Sequence, residues 1–322
     1  MKARPGVFAA VVLAILLSWW PLQARTQPLA PLNAHVTTPA AAGPMIRFAD
    51  VDHVLAPPDR FPQSGWARDP LPKIYRLQQT RWRIGEDHTI WARFRFDRSA
   101  LGADPLALYT VDTRNQFVVY VNGVEAYRNF ARLEDHHLAW YRPSLAPIPA
   151  GALKPGVNEI VIRATSAESV GVGQVIVGPH SAVRDHYRFQ FFWRITAPTF
   201  TNGAMLVLGA FALLLWLGRR GEVELLYLAL STALWFARNY QYFGEQTPFN
   251  LPIFNAWTEY ETYFASAAAF AFYAEFVKLR NRKVTIALLF GLGVVLTIVH
   301  AAFWLPNIIL YVPSTLIAST VK

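Results

Sequence analysis

The chain has 322 residues, 53% hydrophobic and 14% aromatic, with a formal net charge of +9 and only 16% charged residues, below the roughly 25% of ordinary soluble domains. It has no cysteine, which excludes disulfides, cysteine-ligated metals and thiol chemistry. The basic residues are scattered or flank apolar runs and form no nucleic-acid motif, so the positive balance reads as a topology signal and no nucleic-acid partner is expected.

Lys2 and Arg4 precede the apolar run Val7 to Leu17, and Pro21 and Ala24 follow. A basic start, a short apolar stretch and a small residue beyond a helix breaker predict a secretory signal peptide over 1–24, with an uncleaved signal anchor as the rival. Either would export what comes next. Residues 25–44, rich in Pro, Ala and Thr, read as an extended linker.

A strand-rich domain is expected over 45–182. Thr89 to Phe96 alternates apolar and polar residues, the mark of a half-buried strand. Leu106–Val111 and Gln116–Val121 read as further strands. Asn122-Gly123 then supplies the two-residue hairpin turn that favours positive φ, with Val124 to Tyr127 returning as partner. Leu153 to Asn158 is a turn into a strand over Glu159 to Ala164, and another strand spans Gly173 to Val177. Many short strands set apart by Gly, Pro and Asn predict a β-sandwich.

Val119-Tyr-Val-Asn-Gly123 and the later Pro149 to Arg163 stretch, with Leu153-Lys-Pro-Gly-Val-Asn-Glu-Ile-Val-Ile-Arg163 at its end, resemble the galactose-binding-like jelly roll of carbohydrate-binding modules and glycosidase accessory domains. The resemblance covers about residues 70 to 178. Its motifs occupy turn and core positions, so they speak for fold rather than for sugar binding.

Residues 183–198 (VRDHYRFQFFWR at their start) are aromatic and basic, suited either to a segment at the membrane surface or to a helix packed under the sandwich. Both readings make them the coupler between an aqueous domain and the bilayer. Ile195 to Leu217 then carries no charge before Arg219-Arg220 and is apolar all round. It is long enough to cross a ~30 Å hydrocarbon core. Spans are expected at about 199–218, 223–243, 258–277 and 284–304, the last broken at Leu305-Pro306-Asn307, with a fifth starting over 308–322. The 244–257 segment reads as a Pro-containing loop. Basic clusters at 219–220 and 278–283 alternate with this acidic, Lys/Arg-free loop, which places the sandwich outside the cytoplasm of a bacterial inner membrane, in the periplasm. Arg238, Glu261 and Glu275 must snorkel or face the bundle interior, and His300 is a lone ionisable group that reads as a satisfied interior histidine or as a proton relay.

The expected architecture is therefore a multi-domain membrane protein: an all-β jelly-roll sandwich followed by an α-helical transmembrane bundle. That order resembles the bacterial seven-transmembrane receptors with diverse intracellular signalling modules. The resemblance implies a periplasmic input domain, a homodimer, and a cytoplasmic histidine kinase or diguanylate cyclase as output. This chain holds four spans and the start of a fifth, and reads as the sensory part of a truncated protein without a catalytic domain.

Catalytic signatures are absent: there is no G-x-S-x-G, P-loop, G-x-G-x-x-G or H-E-x-x-H. Glu134-Asp-His-His137 suits zinc by composition, but adjacent residues diverge on a strand and no further ligand stands at the right spacing, so neither metal nor cofactor is expected. Aromatic faces with Asp, Asn and Arg can hold a small polar or carbohydrate ligand. Asp112, Arg114 and Asn115 in one loop, and Asp135, His137, Trp140 and Arg142 in another, are the candidate ligand-binding residues. Trp82, Trp91 and Trp140 also read as core or interface aromatics. Two further functions stay open: a membrane-anchored carbohydrate-binding protein without signalling, and a transporter or enzyme subunit, which would need more polar spans than these.

Overall fold

A computed structural model describes residues 44–76, 88–113, 116–130, 141–166, 169–247 and 251–309. The signal peptide, the linker up to residue 43 and the fifth span from residue 310 lie outside these residues.

Among the described residues, twelve antiparallel strands build a β-sandwich: β1 (Ile46–Arg47), β2 (Asp50–Leu55), β3 (Ala67–Pro70), β4 (Lys73–Arg76), β5 (His88–Asp97), β6 (Leu106–Val111), β7 (Gln116–Val121), β8 (Val124–Arg128), β9 (Ser144–Pro147), β10 (Val157–Ser166), β11 (Ser169–Val172) and β12 (Gln174–Pro179). One sheet has the order β1-β12-β6-β9, the other β3-β2-β5-β10-β7-β8, and β11-β4 forms a two-stranded ribbon. Alternation along β5 and β10 sends Ile90, Ala92, Phe94, Phe96, Ile160 and Ile162 inward, against Leu106, Leu108, Val175 and Val177 of the other sheet.

The Asn-Gly turn forms as expected, with φ of 50° at Asn122 and 86° at Gly123. Its asparagine also does a second job. Asn122 Nδ2 donates to Asn158 Oδ1 at 2.8 Å and to the Ala152 carbonyl at 2.7 Å, while Asn122 Oδ1 accepts from the Glu159 amide at 3.0 Å. Asn158, fully buried, closes its own turn by accepting from Lys154 N–H and donating to the Lys154 and Gly156 carbonyls. The two asparagines of the two motifs therefore rivet one turn to the other. Burying an amide is tolerable here because its polar atoms are paired.

On the outer face of the six-stranded sheet, Trp91 is buried, donates Nε1–H to the Pro57 carbonyl at 3.2 Å and packs between Phe61 and Tyr120. It is a packing aromatic. At the sheet edge, His53 and Lys73 both contact the Asp69 carboxylate, whose pKa is held low by Lys73 and then by His53.

The four-stranded sheet is covered on both faces, which is why all six residues of β6 are buried. Its outer cover is α1 (His180–Phe191), whose Val183 packs on Ala107, Tyr109, Val111 and Ile176. A five-residue π-helical segment, Phe192–Thr196, continues α1 without a break into α2 (Ala197–Gly218). There follow α3 (Val223–Arg238), a single turn α4 (Tyr240–Phe243), α5 (Leu251–Phe276) and α6 (Arg282–Ile309). Cross-helix pairs run in opposite senses, Asn202 with Asn239 and Gly209 with Thr232, then Ser231 with Ala265 and Glu224 with Lys278, so α2, α3, α5 and α6 go up and down.

Among the described residues, two helices are long and apolar enough to cross a membrane, the continuous His180–Gly218 and Arg282–Ala302. The two between them differ from the sequence expectation. The second stretch is a 16-residue helix, only ~24 Å long, followed by the break at Asn239. The third begins at Leu251, so half of the expected 244–257 loop is helical and the helix reaches 26 residues. Pro252 falls in its first turn, where a missing N–H costs nothing. Nor does Pro306 end α6, which runs on to Ile309. A proline removes one hydrogen bond from a helix but need not stop it when the surroundings favour the helical path.

Candidate functional site at the junction of sandwich and helices

β6 ends at Val111, and the chain turns through Asp112 with φ of 60°, a left-handed conformation that Asp tolerates better than most residues. Thr110 and Thr113, both buried, share a hydroxyl–hydroxyl hydrogen bond of 2.7 Å across this turn. Gly173 presses against the Val111 carbonyl and Asp112, where any Cβ would collide with backbone. The turn is thus fixed from both sides, and the Asp112 carboxylate stands at the end of the sheet.

It is met by Arg194 from the π-helical segment, with Nη1 to Oδ1 at 2.9 Å and Nη2 to Oδ2 at 3.4 Å. Two-pronged contact of this kind fixes orientation as well as distance. The same guanidinium lies 5.5 Å from the Tyr141 ring, and Tyr141 meets Tyr242 edge-on at 5.1 Å. Beside them Arg142 donates to Glu245 Oε1 at 2.7 Å and covers the Phe191 ring.

The contacts continue into the helices. Arg238 donates to the Tyr242 hydroxyl at 3.2 Å, to Asn239 Oδ1 at 3.0 Å and, through Nε, to Thr262 at 3.3 Å. Asn239 Nδ2 donates to Asn202 Oδ1 at 2.6 Å, both residues buried between α3 and α2. An unbroken run of polar and aromatic contacts therefore leads from the end of β6 to three helices.

Asp112 and Glu245 pair with Arg194 and Arg142, and Arg238, held by neutral partners, adds a third positive charge to the network. Burial pushes the Tyr109 and Tyr141 hydroxyls above the usual tyrosine range, against the pull of Arg194, and burial also raises Tyr187. His186 is depressed, first by burial and then by Arg47, which keeps it neutral at neutral pH. It lies edge-on to Tyr109 at 4.8 Å, and neither the Tyr109 hydroxyl nor His186 Nε2 has a hydrogen-bond partner. Unpartnered buried groups of this kind cost about 1–3 kcal/mol each. They sit where α1 lies on the sheet.

Of the seven candidate ligand-binding residues, the structure brings Asp112 and Arg142 to this one junction and spends both on partners in the helical part. Arg114, Asn115, Asp135, His137 and Trp140 lie outside the described residues. Arg238 joins the junction network. Glu275 pairs with Arg282 at 2.7 Å at the basic end of the bundle, His300 Nδ1 is 3.4 Å from the Tyr263 hydroxyl, and Glu261 has one buried carboxylate oxygen without a partner. Among the described residues, no cluster of three or more His, Asp or Glu is placed to hold a metal. The residues that sequence reasoning missed are Arg194, Tyr141, Tyr242 and Glu245, together with the Asn202–Asn239 pair. Three of them carried a signal: Arg194 as the last basic residue of the aromatic-basic coupler, Tyr141 by standing between Trp140 and Arg142, and Glu245 as the acid of the 244–257 loop.

No protein-family model and no curated protein sequence matches the chain. Among solved structures, the β-glucuronidase of Ruminococcus gnavus is similar at 16% identity over 42% of this chain and 28% of its own, with a TM-score of 0.32. The same enzyme in complex with D-glucaro 1,5-lactone gives 16%, 42%, 29% and 0.32, and in complex with D-glucuronic acid 16%, 42%, 29% and 0.31. The chain thus spans less than a third of that enzyme, and a likeness of this degree carries nothing about activity or ligand.

Proposed function

We propose that this chain is the input part of a bacterial inner-membrane receptor, in which a periplasmic jelly-roll domain senses a small, carbohydrate-like ligand and passes the signal to a multi-pass helix bundle. The observation that carries the reading is the junction itself: the sheet end at Asp112 is tied through Arg194, and Arg142 through Glu245, to two separate parts of the helical region. A domain tethered only for display has no need of such ties.

Two features support the membrane setting. Apart from Phe254 and Ile286, the helices bury mostly small residues and expose many large apolar ones, as suits lipid rather than water. The basic turns at 219–222 and 278–282 meet at one end through Glu224 and Lys278, while the sandwich attaches at the other. Positive residues stay in the cytoplasm, which puts the sandwich outside. By the family resemblance the receptor is a homodimer and its output a histidine kinase or diguanylate cyclase.

Ligand binding moves such a system only if one arrangement of sandwich and bundle binds better; ~1.4 kcal/mol of preference is a tenfold shift in population. The test has two parts. In cells, an impermeant maleimide should label V157C at once and G221C only after permeabilisation; the opposite pattern overturns the orientation. In nanodiscs, a panel of mono- and oligosaccharides should include one that alters amide exchange over 239–247. A sugar that binds the sandwich and leaves those amides unchanged makes the chain a membrane-anchored binding protein instead.

A further inference from the structure

We infer that Phe189, Phe192 and Trp193 form a seat in the lipid interface, bedding the sandwich onto the outer leaflet at a fixed height. The inference rests on the membrane reading above and adds the contact surface and its depth.

The segment has two unlike sides. Ala182, Val183 and Ile195 are buried, Val183 against the sheet, and Arg194 is held by Asp112. Phe189, Phe192 and Trp193 are 56%, 49% and 58% exposed, and the Trp193 ring meets Phe189 at 6.5 Å and Phe192 at 5.2 Å between centroids. Exposed Arg188 lies one helical turn before Phe192. Adjacent residues Trp193 and Arg194 thus serve opposite partners. The π-helical segment that contains both is a local departure of a kind common at functional sites.

Position along the helix selects lipid as the occupant. From His180 to Gly218 the helix is continuous. Trp193 and Trp216 are 23 residues apart in it, about 35 Å at ~1.5 Å per residue, which lies between the ~30 Å hydrocarbon core and the ~40–45 Å full bilayer. Tryptophans so spaced fall at the two interfaces, where aromatic rings with a polar edge are enriched. Beyond Trp216, Arg220 stacks on its ring at 4.2 Å and Arg219 follows the helix end, as expected on the cytoplasmic side. Between the two tryptophans, Phe200, Val207, Phe211 and Leu214 are largely exposed. A second protein is a poor fit to the three rings. Half exposed, they offer about 300 Å² if each ring can bury ~200 Å², against the roughly 800 Å² per partner of a stable interface.

The absence of cysteine makes single labels clean. Nitroxides at F189C, W193C, L208C and V157C, in the full chain in phosphatidylcholine/phosphatidylglycerol nanodiscs, report collision with oxygen, which favours lipid, and with a nickel chelate, which favours water. The oxygen-to-nickel ratio should be lowest at 157, highest at 208 and intermediate at 189 and 193. Ratios at 189 and 193 equal to that at 157 overturn the seat. Protection from both quenchers overturns it in favour of a protein partner. A low ratio at 208 removes the membrane reading itself, a different failure and visible as such.

Discussion

The sandwich buries mostly bulky residues and the helical part mostly small ones, Phe254 and Ile286 apart. Inside the sandwich lie Phe94, Leu108, Phe117, Ile160 and Ile162; inside the helices lie Ala212, Ala229, Ala265, Ala268 and Ala271, with Ser231 and Thr232. The large side chains of α2 and α6, such as Leu214 at 65% exposure and Leu288 at 68%, point outward. In water, a folded chain gains by hiding bulk. Where the surroundings are as apolar as leucine, bulk gains nothing from hiding, and close backbone approach takes over. On the membrane setting proposed above, one chain obeys two packing rules, with the change at the π-helical segment.

The sharpest way to break that contrast is to make one substitution in both regions. Leu108→Ala in the sandwich should cost about 2–5 kcal/mol, since the site is closed on all sides. Leu214→Ala on α2 should stay within about 0.5 kcal/mol. Thermal melts of the sandwich by near-ultraviolet dichroism, and denaturing-detergent titrations of the helices, measure the two. Equal costs would mean that Leu214 is packed against protein and does not face outward.

Next in size is the reverse experiment. At Gly209 any Cβ would fall on the Thr232 hydroxyl, whereas Gly203 faces open space. Gly209→Leu should therefore destabilise the α2–α3 pair by about 1–3 kcal/mol through overpacking, and Gly203→Leu should not. Helix unfolding in mixed micelles would show the difference.

How legible this was in the sequence depends on whether the cause was local. The Asn122-Gly123 turn and the Leu153 to Asn158 turn could be read because turn chemistry acts within a few residues. The short strands β9 and β11 could not, because four residues ending in Pro147, or containing Gly171, carry no alternation to detect. β2 has its alternation but places His53 inward, which hides the pattern. The junction shows the same limit. Asp112 and Arg142 were recognisable as charged groups beside aromatic loops, but their partners lie 82 and 103 residues away. A pairing over that distance leaves no periodic trace. The jelly-roll and multi-pass readings rested on resemblance and on charge alternation; the antiparallel sandwich and two membrane-length helices are what the fold itself displays.

Smaller than either packing effect is the tie across the boundary. Asp112→Asn and Arg194→Gln, singly and together, should give a coupling of about 1 kcal/mol, because both partners remain about a third exposed and solvent screens them. Amide exchange over 186–196 is the readout. Additive singles would show that the pair is formed but contributes no net stability.

The smallest expected effect concerns the seam itself. His186 has its pKa lowered by burial and then by Arg47, so the unfolded chain takes up its proton more readily than the folded one. Its contribution to stability is full above the unfolded value of about 6.5 and falls as the pH drops from there through the folded value, below which it is flat. Protonation would place a cation against the edge-on Tyr109 ring, near Arg47 and without a hydrogen-bond acceptor at Nε2. Acidification should therefore loosen α1 from the four-stranded sheet before it affects the sandwich core. His186→Phe keeps the ring contact and removes the proton site, so the loss of α1 protection between about pH 7.5 and pH 5 should shrink in that variant. An unchanged loss would assign the acid sensitivity to other groups and leave His186 a packing residue. The sandwich core, whose own polar rivet is the uncharged Asn122–Asn158 pair, should show no matching step.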